Sequence, residues 1–181
     1  MRKSESLTKL LTFVLIAGSL LMLALGVMAM APSRDLPITD GEVDYPEGYR
    51  RWTQVRSTVV GPASPFFDTF GGFHTVYAND IAMQGYETGV FPDGSILVVD
   101  LREGPITDRG VDAGAQKRLD VMVRDHAAFP NTDGWGYTSF MGPGNKTVRR
   151  FPQAEAATRC HACHSRPYAR RKDFVFSSYE E

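Results

Sequence analysis

The sequence predicts an α+β fold: a mainly antiparallel β-sheet with flanking helices, in a single domain behind an N-terminal signal or anchor helix. Two observations predict the sheet and its helices. Runs rich in β-branched and aromatic residues follow one another along the chain, each closed by Gly, Pro, Asn or Asp. Helix-compatible stretches stand at the edges of this series, which argues for one largely antiparallel sheet. A third observation sets off the N-terminus. Arg2, Lys3 and Lys9 precede an uncharged apolar run from Leu10 to Ala31 that ends in Ala29-Met30-Ala31 before Pro32.

That leader, residues 1–31, reads in two ways. The small-x-small ending suits cleavage of a secretory signal. The length of the apolar run also approaches the ~20 residues of a membrane-spanning helix. Either way the remainder would be carried across the membrane, to the periplasm. The composition fits one domain with an ample core, at 43% hydrophobic and 11% aromatic over 181 residues. A net charge of −1 gives no electrostatic footing for nucleic acid.

Residues 32–45 are rich in Pro, Asp and Gly and read as an extended linker, with the folded domain at 46–181. A short helix is expected at Pro46–Gln54, with Pro46 near its first turn. Val55–Val60 reads as a strand stopped by Gly61-Pro62. Phe66–Phe70 is an apolar patch closed by Gly71-Gly72, and Phe73–Tyr77 a second strand. Asn79 or Asp80 can cap a helix through Tyr86, with Gly89 past its end. Pro92-Asp93-Gly94 is a turn, because Pro presets φ and Gly accepts a positive one. Ser95–Leu101 is a strand, and Thr107–Ala115 a polar loop. In Lys117–Asp125, Leu119, Val121 and Val123 alternate with Arg118, Asp120, Met122 and Arg124, the pattern of a strand with one wet face. After the turn Asn131–Gly134 comes a strand, Trp135–Met141, ended by Gly142-Pro143-Gly144. Residues 153–165 are Ala-rich and helix-compatible, and the aromatic tail Phe174–Tyr179 suggests a last short strand. No internal repeat or low-complexity segment is present.

The chain has two cysteines, three apart: Cys160-His161-Ala162-Cys163-His164. C-x-x-C-H is the attachment pattern for c-type haem. On a helical turn, positions i, i+3 and i+4 share one face. Cys160 and Cys163 can each add to a vinyl group on one haem edge, which holds His164 beneath the iron as the axial ligand. Two other readings compete. A thioredoxin-type redox pair needs a βαβ context near the N-terminus of the domain, and here the pair lies near the C-terminus. A zinc site would take its donors from one five-residue stretch, poor tetrahedral geometry. His161 is expected to face solvent. Candidate sixth ligands are His74, His126, Met83, Met122 and Met141. Each reads as structural, which leaves an open distal position. Phe66, Phe67, Phe70, Phe73 and Tyr77 read as core, or in part as the wall of a distal pocket.

These residues resemble the cytochrome P-460 and cytochrome c-prime-beta family. The likeness runs through Tyr49-Arg50-Arg51-Trp52, Phe73–Asp80, Phe91-Pro92-Asp93-Gly94, Asp120–Asp125, Gly134–Tyr137, the haem motif and Asp173–Phe176. The resemblance implies a β-rich homodimer with one five-coordinate haem c. In the P-460 type a lysine is also cross-linked to the haem and hydroxylamine is oxidised. In the c-prime-beta type that link is absent, and a Phe-capped apolar pocket binds nitric oxide and carbon monoxide. The lysine is expected on the strand after Pro-Asp-Gly, where this chain has Val99. Lys117 is the next lysine along the chain. Phe70 is the expected distal phenylalanine, with Val99 beside it.

The expected function is an exported monohaem c-type protein that binds a small diatomic ligand such as nitric oxide. The alternatives are oxidation of hydroxylamine or nitric oxide, and electron transfer to a redox partner protein. Oxidation would need an acid/base group; Glu87, Asp100 and Glu103 are nearest by sequence, all read as solvated surface. Arg159, Arg166, Arg170, Arg171 and Lys172 form a basic stretch, read as a solvated face or as a contact for haem propionates or an acidic partner.

Overall fold

A computed structural model describes residues 36–104, 106–107, 110–142 and 150–180, all within the compact unit Asp35–Glu181. The leader with its Ala29-Met30-Ala31 site lies outside them, as do Pro143 and Gly144. No helix among the described residues is long and apolar enough to cross a membrane.

The predicted α+β architecture is present. Five antiparallel strands, β3 (Thr53–Val60), β4 (Gly72–Ala78), β5 (Ile96–Arg102), β8 (Gln116–Arg124) and β9 (Trp135–Met141), lie side by side in that order. Two minor hairpins flank them, β1 (Ile38–Thr39) with β2 (Glu42–Val43), and β6 (Ile106–Thr107) with β7 (Gly110–Val111). The helices are α1 (Phe67–Phe70), α2 (Asp80–Thr88), α3 (Gln153–His164) and α4 (Pro167–Arg170). Asn79 caps α2 by accepting from the Ala82 amide at 2.9 Å, and Gly89 ends it at φ 82°. Gly85 lets α2 reach the sheet, because a Cβ there would stand 2.3 Å from the Phe91 ring.

Several expectations are corrected. The helix at Pro46–Gln54 shrinks to a 3-10 turn at Tyr49–Arg51, since Gly48 at φ 74° breaks the entry. The linker at 32–45 is folded from Leu36 on. Asp40 and Gly41, at φ 52° and 77°, make the doubly positive turn that closes β1 on β2. Val43 is then buried on one face of the sheet beside Tyr49, Val98, Val121 and Phe140. The loop at 107–115 contains β7 and, with Thr107, the end of the β6–β7 hairpin. The tail after Phe174 forms no strand; it crosses the opposite sheet face, where Phe174 and Val175 pack with Leu97, Trp135 and Tyr137. Phe66, Phe67 and Phe70 are exposed rather than core, because α1 stands at the sheet's end.

Strand β8 carries the most useful correction. Its Leu119, Val121 and Val123 do enter the core. Its other face is not wet: Arg118 and Arg124 are buried, with Asp120 and Met122 half-buried. That face looks into a cavity. Asp100, read as surface, is 2% exposed on the opposite side of the sheet. Its carboxylate accepts from the Tyr49 hydroxyl and the Gln116 amide, each at 2.8 Å, and from Arg50 at 3.2 Å.

Burial also raises the pKa of three tyrosines, Tyr49, Tyr86 and Tyr137. Tyr86 is pushed up to about 12 by loss of solvent, only partly offset by its bond to Ser177. Below the ordinary value of 10 a tyrosine is neutral folded or unfolded, so its contribution to stability is whole. Above it the unfolded chain ionises first, so stability falls as pH rises towards the folded value. For Tyr86 alone that loss is about 2–3 kcal/mol. Absorbance at 295 nm should show these three rings ionising only as the protein unfolds. Smooth titration of every tyrosine in folded protein would contradict this.

Candidate functional site

The cavity holds about 760 Å³, within the roughly 300–1,000 Å³ typical of cofactor and ligand pockets. The sheet forms one wall. Because opposed residues on neighbouring strands share a face, Arg56, Val76, Val99, Asp120 and Ser139 form one row straight across β3, β4, β5, β8 and β9. All five line the cavity. On one side of this row stand Leu97, Met122 and Tyr137; on the other stand Thr58, His74 and Arg118. Thr69 and Phe70 of α1, then Cys160, Cys163 and His164 of α3, and Val175–Ser177 of the tail face this wall across the cavity or close its ends. The cavity thus brings together all five sequence-predicted site residues: Cys160, Cys163, His164, Phe70 and Val99.

Helix α3 forms because Ala154, Ala156, Ala157 and Ala162 favour it. Its single turn from Cys160 to His164 presents the two thiols and the imidazole to the cavity. Both cysteines are unpaired. Loss of solvent pushes the Cys160 thiol up to about 11, so it is a neutral thiol at pH 7. Burial likewise lowers the His164 pKa, although the bond to Phe174 opposes it.

His164 Nδ1 lies 2.7 Å from the Phe174 carbonyl oxygen. A carbonyl only accepts, so Nδ1 carries the proton and donates it. The neutral ring then leaves Nε2 with a free lone pair, the state in which imidazole binds a metal. Tyr137 and Phe176 pack against the ring, at 5.3 and 4.8 Å between centroids.

The carbonyl is aimed by an unusual piece of backbone. Asp173 and Phe174 are consecutive non-glycine residues at φ 51° and 69°. Each left-handed L-residue costs roughly 1–2 kcal/mol. Asp173 Oδ1 is paired with Arg124 at 3.2 Å, and Oδ2 accepts from the Phe91 amide at 2.8 Å. Its carbonyl accepts from Trp135 Nε1 at 3.0 Å.

His161 is not solvent-facing. Its side chain is 18% exposed, stacked on Phe174. Nε2 lies 3.2 Å from Asp133 and Nδ1 3.3 Å from the Tyr137 hydroxyl. Of the candidate sixth ligands, His74 and Met122 line the cavity. His74 Nε2 donates to the Phe70 carbonyl. His126 is exposed and paired with Asp93 at 2.6 Å. Met83 packs beside Ala82 and Phe91, and Met141 is exposed.

The polar part of the wall was missed in the sequence. Asp120 accepts from Ser139 at 2.5 Å and is paired with Arg118 at 2.9 Å. Arg118 also lies over the Phe70 ring, at 5.1 Å. The alternation in β8 marked Arg118 and Asp120, but it could not tell solvent from a cavity. Of the C-terminal basic stretch only Arg159 lines the cavity, joined by Arg56, Arg118 and Arg150. No lysine among the described residues lines it, and Lys117 instead donates to the Gly71 carbonyl at 2.7 Å.

A sheet wall, a cofactor-sized cavity, two neighbouring free thiols and an imidazole with Nδ1 already engaged make an arrangement that suits a haem protein of the cytochrome class. The family profile for Cytochrome P460 matches residues 46–177, and the chain belongs to that family. No curated protein matches the sequence.

Proposed function

We propose that the cavity holds one haem c, joined by thioethers to Cys160 and Cys163 and ligated by His164 Nε2. The protein would be exported to the periplasm, as a homodimer, and bind a small diatomic ligand, nitric oxide above all. The haem supplies an iron that takes such a ligand and exchanges one electron. The chain supplies the surroundings. His164 Nδ1 is committed to the Phe174 carbonyl, which fixes the ring and strengthens Nε2 as a donor. Arg56, Arg118, Arg150 and Arg159 bring positive charge that suits haem propionates.

The observation that carries the reading is the fate of the alternative ligands. His74 is tied to Phe70, His126 to Asp93, and Met83 and Met141 stand outside the cavity lining; Met122 lines the cavity but packs against the Leu97, Trp135 and Tyr137 cluster, as Cys160 does. This supports a five-coordinate iron and weighs against a simple electron carrier. At mid-wall, Val76 and Val99 are cross-strand partners with no donor to offer a ligand. The spectrum of the ferrous protein should be high-spin and shift on adding nitric oxide or carbon monoxide. A low-spin spectrum indifferent to both would reject the proposal.

One observation favours a second reading, oxidation of hydroxylamine or nitric oxide. Asp120 is the cross-strand neighbour of Val99, so a carboxylate faces the cavity. If this reading holds, Asp120→Asn should slow hydroxylamine oxidation about 100-fold. If ligand binding is the function, the variant should keep nitric oxide affinity within about threefold, since neutral ligands need no general base. Intact mass adds a separate check, because a third covalent link to the haem would revive the oxidase.

A further inference from the structure

We infer that Asp173 is a positioning residue for the proximal imidazole: it holds the strained Asp173–Phe174 peptide so that the Phe174 carbonyl receives the His164 Nδ1 proton. The inference rests on His164 being the haem ligand. Two consecutive left-handed residues without glycine are rare, and for a residue as bulky as Phe174 the conformation is a true outlier. Such strain persists only where the surroundings over-determine it, and it gathers at functional sites.

The surroundings here are specific. Asp173 reaches three separate places on and beside the sheet: Arg124 at the end of β8, the Phe91 amide in the segment before β5, and Trp135 at the start of β9. Arg124 is itself held, donating to the Asp133 carbonyl at 2.7 Å with its guanidinium 5.0 Å over the Trp135 ring. The Phe174 amide is tied to the Ala169 carbonyl of α4 at 2.9 Å, which leaves the Phe174 carbonyl to face α3, at 2.7 Å from His164. The sheet thus sets the tautomer of a ligand that sits on a different element.

The consequence is electronic. Donation from Nδ1–H makes Nε2 a stronger donor, which favours ferric over ferrous iron. Loosening the Asp173 anchor should therefore raise the reduction potential. In holo-protein, Asp173→Ala should shift the ferric/ferrous ratio at fixed potential about tenfold, or about 59 mV for one electron. Asp173→Asn tolerates the left-handed backbone and keeps one acceptor oxygen. It should move the potential by less than half as much. Val123→Ala, buried on the opposite face, should lower stability with no change in potential. If Asp173→Ala does not mature, Asp173→Gly takes its place, because glycine suits that backbone and still lacks the carboxylate.

A haem-loaded Asp173→Ala or Asp173→Gly variant with the wild-type potential and ferrous spectrum would overturn the inference. So would an equal shift in Val123→Ala. Wild-type protein without haem would instead sink the proposed function, so the two failures are distinct.

Discussion

A Cys160→Ser, Cys163→Ser double variant, matured beside the wild type in a host competent for haem c, is expected to lose all its haem on acid–acetone extraction. The wild type should keep its colour. The cavity lining explains why so much depends on two sulfurs. It is open to solvent along α1 and β3, where Phe70 is 38% exposed and most of β3 is uncovered. A cofactor held there by His164 alone would exchange. Single variants should each keep one thioether, with Cys160→Ser the more damaging for packing, because Cys160 sits against the cluster of Leu97, Trp135 and Tyr137. Haem staining on a denaturing gel reads all three variants. An equally stained double variant would end the assignment of these cysteines.

The second large effect lies on the far side of the sheet. Asp100→Ala should destabilise the domain by about 3–5 kcal/mol, because two buried donors lose their acceptor at about 1–3 kcal/mol each. The Tyr49 hydroxyl and the Gln116 amide would lose an acceptor inside the core, and a buried orphan donor carries its full desolvation cost. The half-exposed Arg50 adds little of this, being screened by water. Thermal melting followed by circular dichroism should fall by roughly 10 °C or more. A loss below about 1 kcal/mol would show that the cluster is structurally idle.

The strands and the common facing of Cys160, Cys163 and His164 were legible because both depend on short spacings. Period-two patterns mark a strand wherever it lies, and i, i+3, i+4 marks one helical face. Phe70 and Val99 were also placed on the cavity wall, through the resemblance rather than through spacing. What local pattern cannot carry is the identity of whatever covers a face. Arg118 and Asp120 alternate as a wet face would, yet they line a cavity because α3 and the tail close over them. Asp100 shows the reverse: a lone carboxylate in an apolar strand reads as surface until Tyr49, Gln116 and Arg50 converge on it from distant positions. Asp40-Gly41 was a readable hairpin signal, lost by treating a Pro- and Gly-rich stretch as linker. The tail was misjudged because its aromatics serve packing, whereas its carbonyls go to side chains, Phe174 to His164 and Phe176 to Lys172.

The chain order of the cavity's parts has its own consequence. Synthesis runs from the N-terminus, and domains form in that direction. Every strand of the central sheet precedes Cys160, and the segment that braces His164 comes after it. If the chain is exported as proposed, it emerges from the membrane in the same order, with the strands of the wall first, the two thiols next and the brace last. A maturation enzyme would meet the thiols on a nearly complete scaffold whose final strap is still undone, an interval in which the tetrapyrrole can enter.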